Sequence, residues 1–106
     1  MPELILNRAE RLALKAQAHA LSPVVLLGAA GLSDAVMREI DRALYAHGLI
    51  KVRAPGDDRG ERERIFFTVA EKLNAARVQM IGKVLVLYRP KPGASRPQDQ
   101  NSSTAR

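Results

Sequence analysis

The chain predicts an α+β domain, a two-layer sandwich of helices on a mixed four-stranded sheet with elements in the order α-β-α-β-α-β-β. Three observations lead there. Two segments of helical period each stand between short β-prone runs, which calls for crossover connections. The closing stretch reads as two strands around Gly82-Lys83, and the second of them is apolar on both faces, which puts it inside a sheet. The 106 residues, 46% of them apolar, suffice for one core and leave no room for a multidomain enzyme.

Asn7, followed three residues later by Glu10, supplies an N-cap and its capping-box partner, and the run rich in alanine and leucine behind it favours a helix over residues 8–21. Pro23 cannot continue that helix, and Val24-Val25-Leu26-Leu27 is a wholly apolar run expected as a buried strand. Past Gly28-Ala29-Ala30-Gly31, Ser33 caps a second helix in which Val36, Met37, Ile40 and Leu44 recur at helical spacing until Gly48 stops it. Leu49-Ile50-Lys51-Val52-Arg53-Ala54 alternates apolar with basic residues, the pattern of a strand with one buried and one positive face.

Residues 55–60 make a surface loop. Ile65, Phe66, Val69 and Leu73 mark a third helix that ends near Asn74, with Phe66 and Phe67 both among its core-forming positions. Arg77-Val78-Gln79-Met80-Ile81 and Val84-Leu85-Val86-Leu87-Tyr88 form the final hairpin, where Gly82 can adopt a positive φ. Right-handed crossovers put helices two and three over one face of the sheet, whereas the pattern leaves the place of helix one open. Residues 1–90 thus form the domain. Residues 91–106, with three prolines and almost nothing apolar, are expected as a disordered basic tail.

Lys and Arg number 17 against 11 Asp and Glu, a formal charge of +6. Such an excess attracts polyanions, so nucleic acid leads as partner, with an anionic membrane and mere solubility as the other readings. The absence of cysteine excludes disulfides, thiol nucleophiles and cysteine-ligated zinc, and two histidines are too few for most metal sites. No apolar run reaches the roughly 18 to 20 residues of a membrane span, and Met1-Pro2-Glu3 lacks the positive start of a signal peptide. The expected location is the cytoplasm.

Three features could bind a polyanion. Gly28-Ala29-Ala30-Gly31 lies between a strand and a helix N-terminus, where outward amides and the helix dipole suit a phosphate; a tight turn without ligand would read the same way. It lacks the third glycine and the Lys-Ser/Thr of nucleotide fingerprints, so no cofactor and no small-molecule substrate is expected. Arg8, Arg11, Lys15 and His19 fall within an arc of roughly 80° on a helical wheel, either a row of phosphate contacts or a solvated face. Between residues 48 and 54 and between 76 and 91 stand Lys51, Arg53, Arg77, Lys83, Arg89 and Lys91 with no acid. Segregation of this kind is what a polyanion-binding face needs, and the open sheet face around Lys51, Arg53 and Arg77 competes with helix one as its centre.

Aromatic residues are scarce, and the RNP-type stacking pattern is missing, so recognition should rest on backbone and shape. Asp57, Asp58, Glu61 and Glu63 are interleaved with Arg59, Arg62 and Arg64, a solvated charge mixture and not an acid-base pair. His19 and His47 come near helix ends as capping or packing residues. No enzyme is expected.

Three blocks resemble a known family. Residues 18–32 (AHALSPVVLLGAAGL), 47–52 (HGLIKV) and 79–89 (QMIGKVLVLYR) are similar, in this order, to the CRM domain, named for chloroplast RNA splicing and ribosome maturation, and above all to its bacterial YhbY-like single-domain members. The resemblance covers roughly residues 5 to 90. It implies a fold similar to the C-terminal domain of translation initiation factor three and association with precursors of the large ribosomal subunit. It also implies RNA contacts at the G-x-x-G loop and adjacent basic surface. Ala29 and Ala30 are apolar where many relatives carry a polar or basic residue, which leaves the loop its amides. The expected partner is structured RNA, held by Arg8, Arg11, Lys15 and Gly28, Ala29, Ala30 and Gly31, with help from Lys51, Arg53 and Lys83. The other reading is a protein-interaction module that docks on a ribosomal protein or assembly factor.

Overall fold

Asn7 and Glu10 cap each other as their spacing requires: the Asn7 side chain accepts from the Glu10 N–H at 2.8 Å, and the Glu10 carboxylate accepts from the Asn7 N–H at 3.1 Å. They open helix α1 (Arg8–Ala18) in a computed structural model that describes residues 2–93. The chain continues through β1 (Val25–Leu26), α2 (Asp34–His47), β2 (Leu49–Arg53), α3 (Arg59–Lys72), β3 (Ala76–Ile81) and β4 (Val84–Tyr88). This is the expected α+β order. Of the expected tail, residues 94–106 lie outside the described residues.

The sheet has the strand order β1-β2-β4-β3. β1 runs parallel to β2, and β4 runs antiparallel to both β2 and β3, so the last strand is inserted between two that share a direction. That interior place is what an apolar strand without a polar face requires. Gly82 turns the hairpin with φ 56°, and Gly48, at φ 79°, ends α2 where a Cβ would crowd Lys91 and the Arg89 carbonyl.

Alternation along β4 divides the interior in two. Leu85 and Leu87 join Val25, Leu27, Ile50 and Val52 under Ile40 and Leu44 of α2 and Phe66 and Val69 of α3, the two layers read from the crossovers. Val86 and Tyr88 point the other way, where Ala76, Val78 and Leu6 meet Leu14 and Ala18 of α1. Helix one therefore lies on the opposite face and covers only part of it.

Several boundaries differ from expectation for local reasons. α1 stops at Ala18 because His19 caps it, its N–H shared between the Lys15 and Ala16 carbonyls, and the chain must turn back to the sheet. α3 starts at Arg59 because Asp58 accepts from the Glu61 N–H, which leaves Gly60 in a first turn that tolerates it. β1 is not buried on both sides: Val24 and Leu26 are 49% and 60% exposed, since an edge strand beyond the reach of α1 has only one covered face. Phe67 is not a core residue either. The residue is 41% exposed, and its ring lies under the guanidinium of Arg77 at 5.0 Å.

The far edge of the sheet is partly closed by the N-terminal arm. The Leu4 N–H donates to the Ala75 carbonyl at 2.9 Å, and Glu3 accepts from the Arg77 side chain at 2.6 and 3.0 Å. This hydrogen bonding to Glu3 raises the Arg77 pKa above its already high ordinary value, against a smaller opposing effect of desolvation.

Candidate nucleic-acid interface

The G-x-x-G loop joins the end of β1 to the start of α2 and closes on itself, with the Gly31 N–H donating to the Gly28 carbonyl at 3.0 Å. Gly31 has φ 71°, so the second glycine is a conformational requirement. Gly28 is different: a Cβ there would meet nothing within 4 Å. Ser33 accepts from the Val36 N–H and aligns the helix behind the loop. Gly28, Ala29 and Ala30 are exposed, and the Ala29 and Ala30 N–H groups have no partner among the described residues. The loop thus offers unpaired amides at the positive end of α2.

The basic side chains sort into those that hold the fold and those that do not. Arg11 is structural, its Nη1 donating to the Arg77 and Val78 carbonyls at 2.5 and 2.9 Å. These carbonyls lie where the β3–β4 register jumps between Arg77 and Gln79, so the guanidinium satisfies backbone that a bulge leaves short of partners. Lys51 Nζ donates to the Leu21 carbonyl at 2.8 Å and ties the α1–β1 connection to β2. Lys83 faces Asp57 at 3.2 Å, and Arg89 holds Asp41 at 2.8 Å and the Leu73 carbonyl at 3.0 Å. Arg8, Lys15 and Arg53 have no side-chain partner among the described residues.

Arg53 is paired in register with Leu26, at the root of the glycine loop, and β2 turns Leu49, Lys51 and Arg53 to the face that α1 partly covers. Arg8 and Lys15 belong to the helix on that same face. Arg77 does not: paired with Leu87 and stacked over Phe67, it faces the α3 side, so the trio of Lys51, Arg53 and Arg77 is not one surface. Two further unpartnered cations, Arg38 and Arg42, are exposed on α2. Their four-residue spacing is the signal for them, and a reading of this helix for its apolar positions passes over it.

The acids of the first turns of α3 behave as solvated charges. Arg59 pairs with Glu63 and Arg64 with Glu61 across exposed helical turns. His19 and His47 are both exposed at helix ends. Among the described residues no group of three or more His, Cys, Asp or Glu could hold a metal ion, and no helix is long and apolar enough to cross a membrane.

Comparison with known proteins gives this arrangement a family. An RNA-binding protein of Haemophilus influenzae is 49% identical over 77 residues, spanning 73% of this chain and 78% of that one. A Pseudomonas aeruginosa protein named as a probable RNA-binding protein is 32% identical over 89 residues, spanning 84% and 86%. The solution structure of the Staphylococcus aureus protein SAV1595 superposes with a TM-score of 0.73 at 26% identity, covering 82% of this chain and 91% of the other. The model of the CRS1/YhbY (CRM) domain matches residues 6–89, from the last residue before the Asn7 cap to the residue after β4. With that match over nearly all of the described fold, the chain belongs to the CRS1/YhbY (CRM) domain family, a non-enzymatic one.

Proposed function

We propose that this protein binds structured RNA through backbone contacts and acts on precursors of the large ribosomal subunit in the cytoplasm. The observation that carries the reading is the pairing of free amides with free cations. Ala29 and Ala30 offer unpaired N–H groups at a helix N-terminus, while Arg8, Lys15 and Arg53 have no protein partner on the neighbouring face. Family membership and relatives named as RNA-binding proteins support the choice of polyanion. In this reading Arg8, Lys15 and Arg53 meet phosphates, the loop from Gly28 to Gly31 seats one more, Arg11 and Lys51 tie down the backbone beneath them, and Lys83 is held at the surface by the exposed Asp57.

Replacing Arg8 and Lys15 together by Glu should abolish co-sedimentation with large-subunit precursors and leave the circular dichroism spectrum unchanged. Persistent co-sedimentation would show the α1 face to be the wrong surface.

One observation favours the second reading, a docking module for a ribosomal protein or assembly factor. Leu26, Arg53, Val84 and Ile81 stand in one row across the sheet where α1 does not cover it, and Leu26 and Ile81 are largely exposed. Salt separates the two. An RNA face loses affinity by orders of magnitude as salt rises, because each neutralised phosphate releases counterions, whereas an apolar row around one arginine does not.

A further inference from the structure

The outward side of α2 carries a set of residues that the fold does not use. With Ile40 and Leu44 buried against the sheet, Arg38, Arg42 and Tyr45 fall within an arc of roughly 60° on the exposed side of the helix. Both arginines lack a side-chain partner among the described residues. The contrast with α3 is informative, because there Arg59 and Arg64 are each neutralised by a glutamate of the same helix. On α2 the nearby acid Asp41 is already taken by Arg89, and Asp34 and Glu39, although four and three residues before Arg38 and Arg42, form no ion pair with either arginine.

Tyr45 strengthens the contrast. The residue is 65% exposed, more than any other aromatic residue among the described ones, and it packs in neither core. An aromatic face beside two free guanidinium groups is suited to a ribose or an unpaired base next to phosphates.

The location adds direction. α2 begins at Asp34, after Leu32 and the Ser33 cap that follow the glycine loop, and Arg38 stands about 6 Å along its axis, in the direction in which a strand seated on the Ala29 and Ala30 amides could continue. Arg42 follows after about 6 Å of helix axis, a step similar to that between neighbouring phosphates, and Tyr45 follows Arg42. This row lies on the opposite side of the sheet from Arg8 and Lys15, because α2 and α1 pack on opposite faces. One straight duplex could not lie along both.

We propose that Arg38, Arg42 and Tyr45 form a second RNA-contact surface, so that the protein holds two RNA segments that meet at the glycine loop. This rests on the RNA-binding reading above and names its substrate class: branched RNA, not a lone duplex.

The test compares the full chain with R38Q/R42Q and Y45A, using a fluorescent three-way-junction RNA and a plain RNA duplex of equal length. R38Q/R42Q should weaken junction binding about tenfold and lower the slope of log affinity against log salt by about two, one for each lost phosphate contact. Y45A should weaken junction binding about fivefold without changing the slope. Both variants should bind the duplex within about twofold of wild type and melt as wild type does. R38Q/R42Q binding the junction as tightly as wild type, or losing both RNAs equally, would overturn the proposal while wild-type binding upheld RNA recognition. Wild-type protein that binds neither RNA overturns both. Should Tyr45→Ala unsettle α2, Tyr45→Leu, which keeps bulk without a ring, replaces it with the same expected loss.

Discussion

Arg11 separates anchoring from ligand contact. Its Nη1 bridges the carbonyls of Arg77 and Val78 at the point where β3 bulges away from β4. Arg11→Met keeps an unbranched apolar stem and the helix propensity but removes the guanidinium and both of its hydrogen bonds. A hydrogen bond from a charged group contributes about 1.5–3 kcal/mol. Two bonds from one nitrogen are not additive, and the half-buried site lets water replace part of the loss, so a total of about 2 kcal/mol is expected. For a domain of this size that corresponds to a fall in Tm of roughly 8–16 °C. Thermal melts followed by circular dichroism measure it, with urea midpoints as a second readout and an unchanged m-value. Lys15→Met, which breaks no contact within the fold, should melt within about 2 °C of wild type. RNA affinity of the Arg11 variant at a temperature well below its Tm should stay within about twofold. A variant that melts like wild type yet loses affinity tenfold would refute the reasoning and make Arg11 a phosphate contact.

The two glycines of the loop should separate in the same manner. Gly28→Ala fills open space at negative φ and should leave stability within about 0.5 kcal/mol while weakening RNA binding, because the added methyl group stands where a phosphate must approach. Gly31→Ala places a side chain at φ 71° and should cost about 1–2 kcal/mol in urea unfolding. Leu14, fully buried between α1 and the sheet, should cost about 2–5 kcal/mol when cut to Ala, and a value below 1 would mean that α1 is not packed on that face.

Much of the fold is legible because local chemistry and global position agree. Asn7 and Glu10, Ser33 and Gly48 each mark a helix end through a backbone group that needs a partner or an angle, and such needs leave a fixed spacing in the sequence. β4 is legible for another reason: only a strand covered on both faces lacks a polar side. The position of α1 is not legible, since Leu14 and Ala18 would fit either face of a sheet equally well. The exposure of Leu26 depends on how far α1 reaches, and that of Phe67 on Arg77, ten residues away, stacking over it. The basic residues show the limit most clearly. Composition registers Arg8 and Arg11 as equal charges, but the bulge at Arg77 and Gln79, which carries neither glycine nor proline, decides that one of them is consumed by the fold.

The insertion of β4 has a consequence for how the chain is made. The residues that occupy the middle of the sheet are the last to be synthesised among its strands, and until they arrive nothing links β2 to β3 and neither interior is closed. Pairing of β2 with β4 joins segments more than thirty positions apart, so its loop-closure cost precedes its reward. A nascent chain stalled before Val84 would hold three helices, the β1–β2 pair and a β3 segment with no strand to join it to them, its edges open to association with other chains. Closure of both interiors therefore waits on the final strand, which contributes Leu85 and Leu87 to one and Val86 and Tyr88 to the other.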